Sequence, residues 1–134
     1  MIGGVIVSHG KLAEELLNAI TIIIGEAVNI EAISIGWYDD VEESKKKINE
    51  SIKRVDQKNG VLIFTDMFGG TPSNLSFSFL KDGQVEIITG VNLPMLIKFV
   101  SLQRSYNLKD VAKKTMEQGK KNIHLASALL KTKS

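Results

Sequence analysis

The chain has 134 residues, 43% of them hydrophobic and 24% charged, the balance of one folded domain over residues 1–134 rather than a disordered segment. A formal net charge of +2 is too small to argue for nucleic acid. The sequence has no cysteine, which excludes disulfides, thiolate catalysis and cysteine zinc sites.

The elements alternate along the chain. Residues 2–8 form an apolar run read as a first strand, ending at Ser8-His9-Gly10. Leu12, Leu16, Leu17, Ile20 and Ile24 recur at helical spacing, which predicts a helix over 11–24 with Gly25 as its stop. A second strand follows over 30–35. Asp39 or Asp40 then caps a helix whose apolar positions are Val41, Ile48, Ile52 and Val55, and Asn59-Gly60 ends it. Residues 61–65 are apolar throughout, as in a strand buried on both faces. Thr71-Pro72 predicts a third helix, with Thr71 as its cap and Pro72 at its first position. A fourth strand is expected over 85–89. Asn92 starts a helix running to about residue 105, Asn107 caps another running to Gly119, and residues 121–126 read as a last short strand.

No apolar run approaches the roughly 18–20 residues needed to cross a bilayer, and no basic N-terminal leader is visible. A soluble cytoplasmic protein is expected. Strands alternating with helices imply a three-layer αβα fold with a mainly parallel sheet. In a flavodoxin-like strand order, 2-1-3-4, the loops after strands one and three flank the switch point where such sheets bind ligands.

Those two loops carry the candidate chemistry. His9 ends the first strand, and Asp66-Met67-Phe68-Gly69-Gly70-Thr71 follows the third. A neutral imidazole acts as a nucleophile through one nitrogen while the other holds the proton, and a carboxylate on that N–H selects the tautomer and stabilises developing positive charge. Asp66 is the candidate orienter, or else a turn cap. Gly69 and Gly70 allow backbone to approach an anion at the start of the helix, and the Thr71 hydroxyl can bond a phosphoryl oxygen. The plainer alternative is a tight turn. A nucleophilic His beside an anion cradle suggests phosphoryl transfer through phosphohistidine. The competing signatures fail: Lys11 is followed by Leu12 rather than Ser or Thr, no GxGxxG follows a strand, and no Ser lies in a GxSxG elbow.

His124 reads as structural. Trp37 and Tyr38 follow the second strand and are candidates for the rim of the site, or for ordinary partial burial. The two histidines lie far apart in sequence, so neither a metal nor a cofactor is expected. Lys109, Lys113, Lys114, Lys120, Lys121, Lys131 and Lys133 read as a solvated face, or as a partner-binding patch.

The segments GGVIVSHG, TDMFGGTPSN and TGVNLPML resemble the mannose/fructose/sorbose-class enzyme IIA component of the bacterial sugar phosphotransferase system. The resemblance extends over essentially the whole chain. It implies that His9 accepts a phosphoryl group from the phosphocarrier HPr and donates it to a histidine of IIB. Asp66 would orient His9, and Thr71 would bond the imidazole or the phosphoryl group. The membrane components IIC and IID would be indirect partners and would choose the sugar. The resemblance also implies a C-terminal antiparallel strand exchanged across a homodimer, which suits residues 121–126. The sequence ends at Ser134 without a IIB segment, so a separate IIB protein is expected. The competing readings are the phosphotransferase subunit of a dihydroxyacetone kinase, which resembles this family, and a regulatory phospho-acceptor module.

Overall fold

A computed structural model describes residues 1–105 and 107–131. The elements follow as β1 (Gly3–His9), α1 (Leu12–Ile24), β2 (Ile30–Ile35), α2 (Val41–Val55), β3 (Val61–Thr65), α3 (Gly70–Phe77), β4 (Val85–Thr89), α4 (Leu93–Leu102), α5 (Leu108–Lys121) and α6 (Ala126–Lys131). The strands form one parallel sheet in the order β2-β1-β3-β4. β1 lies at the centre, with Val5 opposite both Glu31 and Ile63 and Val7 opposite Thr65.

Alternation along the strands sorts side chains into two cores. Ile2, Ile6, Leu62, Phe64 and Ile88 pack under α1, α4 and α5. The Phe64 and Phe99 rings meet edge to face at 5.1 Å. Val5, Val7, Val61 and Ile63 pack on the other face under Ile48, Ile52 and Val55 of α2, with Leu75 and Phe79 beside them. The Gly3-Gly4 pair lets both layers sit close to β1. A Cβ on Gly3 would collide with Val55, and one on Gly4 would come within 2.7 Å of the Phe99 ring.

Capping explains most boundaries. Asp40 accepts from the Glu42 N–H at 3.2 Å, Asn92 from Met95 at 3.0 Å and Asn107 from Asp110 at 2.9 Å. Asp39 instead closes the preceding turn. Two expectations fail. Thr71 is not the cap of α3: Gly69 stands there, with no side-chain cap, and Thr71 and Pro72 lie inside the first turn. That turn has no intrahelical acceptors for its N–H groups, so Pro72 loses nothing there.

Residues 121–126 do not form a strand within the chain. α5 continues to Lys121, residues 123–125 run on without ladder partners, and α6 buries none of its residues. Ile123 and Leu125 are exposed, so the apolar alternation that suggested a strand finds no sheet edge in its own chain. His124 is exposed too. The lysines from Lys109 to Lys131 lie on the surface, and Lys133 lies outside the described residues.

At the β2 edge, Arg54 grips Glu31 with both Nε and Nη2 at 2.8–3.1 Å, and the Ser51 hydroxyl donates to the same carboxylate at 2.8 Å. The Arg54 bond, opposed by burial and helped by Ser51, holds the Glu31 carboxyl below its ordinary value. A depressed carboxyl pKa stabilises the fold above the unfolded carboxylate range, and that contribution is lost as pH falls through the folded value. Glu31→Gln should therefore lower Tm by roughly 2 °C at neutral pH. Thermal melts at acid pH should show the gap closing.

Candidate functional site

β1 delivers His9 to the C-terminal edge of the sheet, between the loops that follow β2 and β3. There the Asp66 Oδ2 accepts two bonds from the same residue. The backbone N–H of His9 donates at 2.9 Å and its Nδ1 donates at 2.8 Å. A carboxylate oxygen only accepts, so this contact places a proton on Nδ1, and in the neutral ring the Nε2 lone pair is then free. The Asp66 side chain is 11% exposed and that of His9 45%, so the orienting group is sheltered while the ring stays accessible.

The turn after His9 is fixed from below. The buried Ser8 hydroxyl accepts the Ala13 N–H at 2.6 Å, capping α1 where Lys11, at the formal cap position, makes no side-chain bond. Sequence reasoning missed this role. Its signal was a Ser placed before a His-Gly turn and a helix.

Gly69 and Gly70 both have φ in the left-handed region, +93° and +82°, which favours glycine. Their surroundings differ. A Cβ on Gly69 would meet open space, whereas one on Gly70 would lie 2.9 Å from both Cε1 and Nε2 of His9. The backbone of Gly70 thus borders the free ring nitrogen. Thr71 lines the same cleft of about 600 Å³, with Ile35, Trp37 and Val41 on its other wall. No hydrogen bond joins Thr71 to His9 among the described residues. Trp37 and Tyr38 are 89% and 95% exposed, so the reading of ordinary partial burial fails for both.

A central-strand His thus has a carboxylate on its Nδ1 and a glycine against its Nε2, beside an open cleft. The family model described as the PTS system fructose IIA component (EIIA-man) matches residues 3–116. The chain belongs to this family. EIIA components of the sugar phosphotransferase system are phosphotransferases. The chain is 29% identical to the fructose-specific EIIA component of Bacillus subtilis, over 95% of its own length and 88% of that protein. It is 36% identical to the mannose-specific EIIAB component of Escherichia coli (strain K12), over 70% of its own length and 29% of that longer protein. Among solved structures, the EIIA component from Streptococcus agalactiae superposes with a TM-score of 0.87 at 23% identity, covering 96% of this chain and 99% of that one. The mannose/sorbose IIA subunit from Enterococcus faecalis gives 0.82 at 25% identity, covering 92% and 93%. The three-layer fold and strand order are those of PTS EIIA proteins. No helix among the described residues is long and apolar enough to cross a membrane.

The two glycines provide an internal control. Gly70→Ala and Gly69→Ala each put an alanine at a positive φ and should each lower stability by at least about 1 kcal/mol. Only Gly70→Ala places a methyl against Nε2. Carbethoxylation of His9 by diethyl pyrocarbonate should slow roughly tenfold or more in Gly70→Ala and stay near wild type in Gly69→Ala. Equal rates in the two variants would remove Gly70 from the wall of the reactive nitrogen.

Proposed function

We propose that this EIIA component carries a phosphoryl group on the Nε2 of His9, taking it from phospho-HPr and donating it to a histidine of a IIB component. The observation that supports this most is the 2.8 Å contact between His9 Nδ1 and Asp66 Oδ2, with the Gly70 backbone bordering Nε2. In the accepting step the Nε2 lone pair forms the new N–P bond. The donor's N–P bond breaks, and its electron pair returns to the donor imidazole. The Nδ1 proton stays in place throughout, and Asp66 offsets the positive charge that grows on the ring. The onward step breaks the Nε2–P bond as the acceptor imidazole attacks.

Gly69, Gly70 and Thr71 bind the phosphoryl oxygens in this reading. α3 begins at Gly70, so its first N–H groups and helix dipole favour the dianion, and Thr71 adds a hydroxyl from the same turn. The reaction takes place in the cytoplasm and serves sugar uptake through the membrane components IIC and IID. It needs neither metal nor cofactor, because the chemistry is positioning and charge stabilisation.

The active assembly is a homodimer. β4 is an edge strand, while Ile123 and Leu125 stand 76% and 73% exposed on a segment that has no strand partner among the described residues. Exchange of that segment onto the partner's β4 covers both liabilities. Sedimentation at micromolar concentration should find a dimer, and Ile123→Asp with Leu125→Asp should shift it to monomer. A monomeric wild-type protein would reject the exchange.

Phospho-HPr should label the protein once per chain with an acid-labile, base-stable phosphate. His9→Ala should abolish labelling and His124→Ala should leave it intact. Labelling that persists in His9→Ala would sink the assignment. Asp66→Asn should slow transfer about 10²-fold with the fold preserved, because an amide fits the space without offering the charge. A rate equal to wild type would reject the orienting role.

A further inference from the structure

Resting on the phosphotransfer reading above, we propose that Asn92 is a positioning residue for the reaction, holding the His9–Asp66 pair in place through the carbonyl of Thr65. Asn92 lies in the turn between β4 and α4, at the same edge of the sheet as His9. Its amide works in two directions. Oδ1 accepts the Met95 N–H at 3.0 Å and caps α4, while Nδ2 donates to the Gly119 carbonyl at 3.0 Å. Gly119 stands in the last turn of α5, where carbonyls lack intrahelical partners. One side chain therefore closes the start of one helix and the end of another. Glycine permits the approach: a Cβ on buried Gly119 would lie 2.5 Å from Met95 Cε and 3.4 Å from Asn92 Oδ1. Capping alone does not call for an amide, since Ser or Asp serves as well. The second bond does, because it needs a donor beside an acceptor on one side chain.

The turn that Asn92 bolts down covers the end of β3. Gly90, at φ +82°, bends the chain so that two successive N–H groups, those of Gly90 and Val91, donate to the single carbonyl of buried Thr65, each at 3.0 Å. That carbonyl shares a rigid peptide plane with the nitrogen and Cα of Asp66. Gripping it sets the direction in which Asp66 leaves the strand. The carboxylate has no other guide. Its Oδ2 is occupied by the two His9 bonds, and Oδ1 is buried with no hydrogen-bond partner among the described residues. No further side chain steers it, so its aim is inherited from the backbone of residues 65 and 66.

His9 is thus held from both neighbouring strands. On the β2 side the Gly10 N–H donates to the Ile35 carbonyl at 2.8 Å. On the β3 side the hold runs from Gly119 through Asn92 and the Gly90-Val91 turn to Thr65 and Asp66. Among the described residues Asn92 makes no hydrogen bond to His9 or Asp66, so it acts through the backbone alone. Loosening the turn lets Asp66 drift from Nδ1, and a misplacement of about 1 Å at a reacting group can slow a step by roughly 10²-fold. The effect falls on the transfer step rather than on the binding of a partner protein.

The test uses Asn92→Ser in the intact chain. Serine keeps an uncharged cap for α4 but is too short to reach Gly119 as well. Asn107→Ala, which removes the cap of α5 at the opposite edge of the sheet, is the control for lost stability. Each variant should stay folded and lower Tm by roughly 3–6 °C. In Asn92→Ser the maximal rate of His9 labelling by phospho-HPr should fall about tenfold, with KM within about twofold. Labelling by the small donor phosphoramidate should fall alike. The 15N shifts of the unphosphorylated His9 ring should move from the Nδ1-protonated form toward the tautomer mixture of an unrestrained imidazole. Asn107→Ala should leave both the rate and the ring shifts at wild type. Wild-type rate and shifts in Asn92→Ser overturn the proposal, as does a change in only one of the two. An equal loss in Asn107→Ala overturns it by making the effect one of stability, and a defect confined to KM does so by moving it to docking. If phospho-HPr fails to label the wild-type protein, the phosphotransfer reading is lost, and the ring shifts alone then decide whether Asn92 positions His9.

Discussion

One carboxylate oxygen holds one residue twice. Asp66 Oδ2 takes both the backbone N–H and the ring N–H of His9, tying the end of β1 to the end of β3 across a sheet register that aligns Val7 with Thr65. Because the backbone is fixed as well as the ring, the imidazole has little freedom to turn away. The proton stays on Nδ1, and the free lone pair points out of the carboxylate's reach. A reactive nitrogen aimed at solvent is therefore a consequence of strand pairing, and the core under Val5, Val7 and Ile63 preserves that pairing.

The rest of the site is arranged around the aimed nitrogen. Gly70 leaves open, beside Nε2, space that a side chain would fill. The start of α3 supplies N–H groups at the same place. Ser8 anchors the opposite side of the turn through α1, so His9 is braced from two directions. The aromatic turn after β2 stands clear of these contacts.

The sheet strands and most helices were legible in the sequence because their cause is local. Apolar runs mark β1 to β4, and Asn92 and Asn107 announce their helices by capping chemistry. The partnership of His9 with Asp66 was readable as a candidate because strand order brings the two loops together. Two kinds of information were missing. Thr71 looked like a helix cap, but the unusual backbone of Gly69 and Gly70 starts the helix earlier. Residues 121–126 alternate like a strand, yet among the described residues the segment pairs with neither edge of the sheet. The Gly70 contact with Nε2 was also invisible, since a glycine against a ring looks the same in sequence as a glycine in a plain turn.

The central claim is that Asp66 keeps the proton on Nδ1 so that Nε2 bonds to phosphorus. The direct measurement is NMR of the phosphorylated protein with 15N-labelled histidine, reading which ring nitrogen of His9 couples to 31P. The account predicts one-bond coupling to Nε2, with a protonated Nδ1. Coupling to Nδ1, or a phosphoryl group on His124, would contradict it.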